Sequence, residues 1–351
     1  ETTRRVEQAE DPVWDPVSRT YTYYVSYGED GGTDTGMVSV TDRVTADMSK
    51  LGGIDMQSPY AITVLVNLGI LTIENGAYRS NGYFVYGNSQ NAVLVFENGY
   101  IYDCKKRAFN ISSSKSFTMT GGVIAGCSDD NGSAIYCDNR FNNNISITGG
   151  TITQCEATGC GGAIYYTKMN GTLTIKNTLI CNNSAREGGA GFLSRAQIAF
   201  DNVSFVNNNA QSGGAVVINS PAQESSFDNC LFLGNTAHQG GAVACRKLNE
   251  AYTIKEIKAS DTLFIRNTAD IGGAVDIRDS IFTMGSGSSI TLNSAKRGGG
   301  VHFDAKTNGI FTLCDTVSVK GNSSGNVFLT NDSVISVDAG VKTLDVGITT
   351  E

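Results

Sequence analysis

Residues 267–275, NTADIGGAV, place two glycines directly before the start of an Ala-Val strand, in a segment too rich in glycine for a helix and too apolar at its end for a linker. The pattern recurs. The chain also carries NSAREGGAGF from Asn183, NNAQSGGAVV from Asn208, NTAHQGGAVA from Asn235 and NSAKRGGGVH from Asn293. In all five copies the Asn stands five residues before the first glycine. An apolar residue stands three before the Asn: Ile180, Phe205, Phe232, Phe264 and Ile290. The first glycines, at 188, 213, 240, 272 and 298, are separated by 25, 27, 32 and 26 residues, so each copy is one small supersecondary unit. Weaker copies run towards the N-terminus, ITQCEATGCGGAIYY from Ile152, IAGCSDDNGSAIYC from Ile124 and IYDCKKRAF from Ile101, and VSVKGNSSGNVFL at the far end keeps only the Asn.

The period narrows the fold. Leucine-rich repeats share the length, but their Leu-x-x-Leu-x-Leu run is missing, and helical repeats need long 3.6-period stretches that Gly-Gly would disrupt. The flanks FDNVSFV, TLTIKNTLI and AVDIRDSIF alternate with period two and are rich in β-branched and aromatic residues, which is strand chemistry. Short strands joined by tight turns and stacked copy on copy describe an all-β parallel β-helix of about ten coils with three short sheets. Its expected hand is right.

Aligning the strand after Gly-Gly-Ala predicts which side chains are inside. One inward ladder is Ile135, Ile164, Gly191, Val216, Val243, Val275, Val301. A second is Cys137, Tyr166, Leu193, Ile218, Cys245, Ile277, Phe303. Between them Tyr136, Tyr165, Phe192, Val217, Ala244, Asp276 and His302 are expected to face outward. Glycine at the corner supplies positive φ without a Cβ penalty and allows close approach of neighbouring coils. The asparagines, stacked at about 4.8 Å, are expected to hydrogen-bond along the axis, and Asn235→Ala or Asn267→Ala to cost about 1–2 kcal/mol. A phosphate-binding glycine loop would need a following helix, and none follows.

Composition sets bounds. With 351 residues, 41 glycines, 4 prolines and 17% charged residues, the chain reads as one solenoid whose length counts coils rather than domains. A net charge of −8 argues against nucleic acid and anionic membranes as partners. The longest apolar stretch, YAITVLVNLGILTI from Tyr60, is interrupted by Asn67 and Gly69 and reads as an early β coil, so no membrane insertion is expected. Residues 1–36 do not fit the repeat and hold the only Trp, Trp14. They read as an N-terminal cap or the end of a preceding module, with the β-helix over 37–351 and its clearest copies over 150–303. The termini suggest a fragment excised from a larger secreted protein.

Nine cysteines invite a disulfide framework, but their register speaks for core and turn fillers. Cys137 and Cys245 fall on the inward ladder, Cys230 aligns with Val203 and Thr178, and Cys104, Cys127 and Cys155 replace the turn Asn of the early copies. Free thiols are expected, with a Cys127–Cys155 bridge as the alternative.

Paired Phe-x-x-Asn and Gly-Gly-Ala-(Ile/Leu/Val) repeats, here Phe205–Asn208, Phe232–Asn235 and Phe264–Asn267 with Gly213–Val216, Gly240–Val243 and Gly272–Val275, resemble those of the chlamydial polymorphic outer-membrane proteins. Those are autotransporter passengers that act in adhesion, and related repeats occur in other large bacterial surface proteins. The resemblance implies an extracellular, cell-surface binding or stalk module, monomeric, with a host-cell glycan or protein as ligand and no cofactor. The outward stripe Tyr136, Tyr165, Phe192 is the candidate contact, because contiguous apolar surface tends to mark an interface, the alternative being that an insertion or the cap segment covers it.

The alternative is a carbohydrate-active β-helix enzyme, a polysaccharide lyase or glycoside hydrolase. Hydrolases need two carboxylates across a sugar bond, and lyases a base with charge neutralisation. Asp276 and His302, flanked by Arg278 and Asp304, form the one acid/base constellation, against the plainer reading of a solvated salt-bridge cluster. The Asp/Asn groups at Asp129–Asn131 and Asp138–Asn144 match no calcium-loop spacing and read as turns, so no metal is expected.

Overall fold

The computed structural model describes the backbone over 3–15, 20–30, 36–40, 44–47, 62–66 and from 69 onward except 81, 139–143, 170, 249–251, 253, 307–308, 331–332, 340, 342–344 and 351; side chains are described from residue 66, with the same exceptions. Among the described residues there is no helix. The chain winds a parallel β-solenoid of about ten turns. Each full turn contributes one short strand to each of three sheets. The glycine sheet collects the strands that follow Gly-Gly, such as Val216–Asn219 and Val243–Arg246. The asparagine sheet collects those that precede the Asn, such as Ser204–Val206 and Leu231–Leu233. The third sheet holds strands such as Gln197–Asp201 and Ser225–Asp228.

The register is the one that period-two alternation predicts. Ile135 pairs in turn with Ile164, Gly191, Val216, Val243, Val275 and Val301 along one ladder, and Cys137 with Tyr166, Leu193, Ile218, Cys245, Ile277 and Phe303 along the next. Both ladders are buried. Phe205, Phe232 and Phe264 of the asparagine sheet stack inside at 4.8 Å between successive ring centroids, with planes 9° and 6° apart. Such offset columns of aromatic rings pack the coil interior.

A narrow fourth ladder, not anticipated from the alternation, bridges the asparagine and glycine sheets. It begins where Ser128–Asn131 pairs with Glu156–Cys160, and continues as single bridges through Ser184, Asn209, Thr236, Thr268, Ser294 and Ser323 on one side and Glu187, Ser212, Gln239, Ile271 and Arg297 on the other. Asp129 and Asp130 therefore lie in an extended segment, not the turn their composition suggested, because the corner has neighbours on which to pair.

The two glycines of each pair do different work. The first sits in the left-handed region, with φ of +62° at Gly240 and +63° at Gly272. The second has ordinary φ, but a Cβ on Gly241 would lie 2.0 Å from the carbonyl oxygen of Gly273 on the next coil. One glycine turns the chain and the other lets coils approach.

The asparagines are wholly buried at Asn235 and Asn267. Asn235 Oδ1 accepts from the Asn208 backbone N–H at 2.9 Å and from its Nδ2 at 3.0 Å, while Asn235 Nδ2 donates to the Phe205 carbonyl and to Asn267 Oδ1, both at 2.9 Å. The same set links Asn183 to Asn208, Asn267 to Asn293 and Asn293 to Asn322. Each amide thus satisfies groups on both neighbouring coils.

Strands Thr3–Asp15 and Thr20–Asp30 are antiparallel to each other, and the second pairs in parallel with Val44–Asp47, so residues before 36 extend the end of the third sheet. Trp14, expected within the cap, falls outside the described side chains.

Candidate functional site

The outer face of the glycine sheet carries both groups of residues singled out from sequence, in one register: Tyr136, Tyr165, Phe192, Val217, Ala244, Asp276, His302. The structure brings the three aromatic residues together. Tyr136 stacks on Tyr165 at 5.1 Å and Tyr165 on Phe192 at 5.5 Å, with planes 8° and 6° apart. All three are half-buried. The Arg107 guanidinium lies 3.8 Å from the Tyr136 centroid and is paired with Asp129 at 2.5 Å. Partial burial raises the Tyr136 and Tyr165 hydroxyls above their usual range. The ring faces are spent largely on one another and on Arg107, so the stripe offers edges and hydroxyls to a partner more than open faces.

Further along, the same face is not exposed. Val217, Ala244, Asp276 and His302 are buried although they point out of the coil. This corrects the expectation of an open, solvated face. Over the middle coils two side chains reach across it. Arg246 donates to Asn219 at 2.9 Å and reaches on to pair with Glu187, two coils back, so its side chain crosses the coil that holds Val217. Tyr252, from the loop that lengthens one copy to 32 residues, lies 5.9 Å from the Arg195 guanidinium, also two coils back.

The acid/base constellation assembles, but as an interior group. His302 Nδ1 and Asp276 Oδ1 are 2.7 Å apart, with His302 5% and Asp276 2% exposed. Arg278 Nε stands 2.9 Å from Asp276 Oδ2, at an angle too oblique for a hydrogen bond. The His302 ring stacks on Phe328 at 6.0 Å. Arg278 and Asp304 are register neighbours on adjacent coils. Both oxygens of Asp276 are engaged, so the group is built to satisfy a buried charge.

Among the described residues no three His, Cys, Asp or Glu side chains converge as metal ligands. The Asp138–Asn144 group lies mostly outside the described residues. All nine cysteines are free thiols. Cys230 is pushed up to about 12 by burial. Cys104 and Cys155 are held well above the usual thiol value by hydrogen bonding to Cys127 and then by burial.

A second concave surface was missed from sequence. A groove of 640 Å³ runs along the corner ladder across four coils, lined by Glu156–Thr158, Ala185, Arg186, Asn209–Gln211 and Thr236–His238. Beyond it His238 Nδ1 contacts Asp270 Oδ2 at 2.7 Å, and Lys296 Nζ contacts Asp270 Oδ1 at 2.7 Å. The hydrogen bond from Lys296 and then that from His238 hold the Asp270 carboxyl below its usual range. The sequence does carry a trace of the groove: between the constant Ala and Gly-Gly, the residues Arg186, Gln211, His238, Asp270 and Lys296 change from copy to copy.

These features define a parallel β-solenoid whose repeated residues build corners and core. No protein-family model, curated protein or solved structure matches the chain.

Proposed function

We propose that the chain is a non-catalytic, surface-displayed binding or stalk module of a larger extracellular bacterial protein, of the adhesin kind its repeats resemble. The observation that carries this reading is the burial of Asp276 and His302. The one acid/base group foreseen from sequence has both carboxylate oxygens occupied and is closed to a polymeric substrate. A regular solenoid, stiffened by ladders along its axis, suits holding a ligand surface away from an attachment point.

The half-buried aromatic stack is the contact proposed for a host-cell glycan or protein, approached by its edges and hydroxyls. A screen of glycans and host proteins is expected to return a ligand whose binding is lost in the Tyr136→Ser, Tyr165→Ser, Phe192→Ser triple variant. The enzyme reading demands the opposite: release of unsaturated or reducing sugars from acidic polysaccharides, abolished by Asp276→Asn or His302→Ala. Detection of that turnover would overturn the proposal.

A further inference from the structure

We infer that the corner groove is a binding site for a linear, uncharged glycan lying along the solenoid axis, one sugar unit per coil. The inference rests on the reading of the chain as a binding module and adds a contact surface that shares no residue with the aromatic stack.

The shape comes first. The groove crosses four coils, so its repeat is the coil rise of about 4.8 Å. The floor is the methyl groups of Ala157, Ala185, Ala210 and Ala237, the constant Ala of the motif, which suits the C–H faces of sugar rings. The walls carry uncharged groups able both to donate and to accept, Asn209 and Thr236 on one side and Gln211 and Thr158 on the other, with Glu156 on the first side and Arg186 and His238 on the second. Among the described residues, the side chains of Asn209, Gln211 and Thr236 make no hydrogen bond within the chain. They remain available to a ligand rich in hydroxyls.

Charge and backbone then exclude the rivals. Glu156 and Arg186 are of opposite sign and lie on neighbouring coils, so the groove lacks the net positive field that a polyuronate would require. A peptide adding itself as a strand needs free backbone groups. Here they are engaged between coils: Ala185 N–H donates to Asn209 O at 3.1 Å, Asn209 N–H to Asn183 O at 2.9 Å, and Gln211 N–H to Arg186 O at 2.9 Å.

The test is calorimetric titration of the intact chain with hexasaccharides of β-1,4-glucan, β-1,4-mannan, β-1,4-xylan and β-1,3-glucan, the matching disaccharides, hexagalacturonate and an unstructured hexapeptide. At least one neutral hexasaccharide is expected to bind at least about tenfold more tightly than its disaccharide. Binding should fall about tenfold in Ala237→Leu, which fills the floor, and measurably in Gln211→Ala, which only trims a wall. It should be unchanged in the Tyr136, Tyr165, Phe192 triple variant. Circular dichroism of Ala237→Leu separates a filled groove from a misfolded coil, and Gln211→Ala carries the test if that variant unfolds. The inference is overturned if no neutral hexasaccharide binds at millimolar concentration, if chain length makes no difference, if neither groove variant weakens binding, or if only hexagalacturonate or the peptide binds. None of these outcomes measures turnover, so the non-catalytic reading stands or falls separately.

Discussion

From Asn183 to Asn322 each coil passes its corner amide to the next, whereas from Cys104 to Cys155 the same corner position holds a thiol. The asparagine stretch is linked at every step by two hydrogen bonds into each Oδ1 and by Nδ2 contacts to the preceding coil. In the cysteine stretch each Sγ contacts the carbonyl two residues before it, Tyr102, Ala125 and Thr153, at 3.9, 3.6 and 3.4 Å. Those contacts stay within a coil. The junction is Cys155, whose backbone N–H donates to Asn183 Oδ1 at 2.9 Å but which has no amide to pass on. Both side chains fill a buried corner of similar shape, but the thiols link neighbouring coils only through the weaker contacts of Cys127 with Cys104 and Cys155, whereas the amides also bind backbone groups of the preceding coil. The early coils must therefore depend more on the sheets and the aromatic interior.

The largest effect should come from the close approach of coils in the asparagine stretch. Gly241→Ala would set a Cβ 2.0 Å from Gly273 O and 2.8 Å from the Thr268 backbone, none of which can rotate away. A loss above about 4 kcal/mol, or failure to fold, is expected in urea unfolding. Gly321→Ala, at φ +64° with nothing within 4 Å of the new Cβ, should cost only about 1–2 kcal/mol of left-handed backbone strain. Equal losses would mean that coil contact is not what the second glycine protects.

Next comes the corner side chain itself. Asn235→Ala strips the partner from two donors of Asn208 and from the Phe205 carbonyl, and takes away one of the two bonds into Asn267 Oδ1, all buried. That raises the expected cost above the 1–2 kcal/mol suggested by sequence, to about 3 kcal/mol. Cys127→Ala, which removes a buried thiol and only its weak contacts to Cys104 and Cys155, should cost about 1–2 kcal/mol. Matching urea midpoints for the two variants would erase the distinction between the stretches.

How much of this was legible depended on whether the cause lay within one copy. The inward ladders from Ile135 to Val301 and from Cys137 to Phe303 could be read because a strand's alternation fixes its faces whatever surrounds it. The corner asparagine could be read as a ladder, but its partner count needs the neighbouring coils in place. The burial of Asp276 and His302 was not legible, because it depends on their pairing across coils and on Arg278 and Phe328 lying against them. Over the middle of the same face the cover comes from Arg246, which reaches back two coils, and from Tyr252, which sits in the one lengthened loop outside the repeat. The groove escaped for a related reason: its floor is the motif's most ordinary residue, Ala, and concavity is a property of four stacked corners.

The smallest and sharpest prediction moves the junction by one coil. In Cys155→Asn the backbone N–H already donates to Asn183 Oδ1, so the backbone geometry of the ladder is in place. By analogy with Asn183, whose Nδ2 reaches the Ile152 carbonyl on the preceding coil at 3.1 Å, the new amide should reach the Ile124 carbonyl and accept from the Cys127 backbone N–H. Two or three buried links would be gained, each worth about 0.5–1.5 kcal/mol, against the overpacking cost of a larger side chain at a fully buried position. A net gain of about 1 kcal/mol in the urea midpoint is expected. A net loss would show that the early corner is too tight for an amide, and that its cysteines are there for their size.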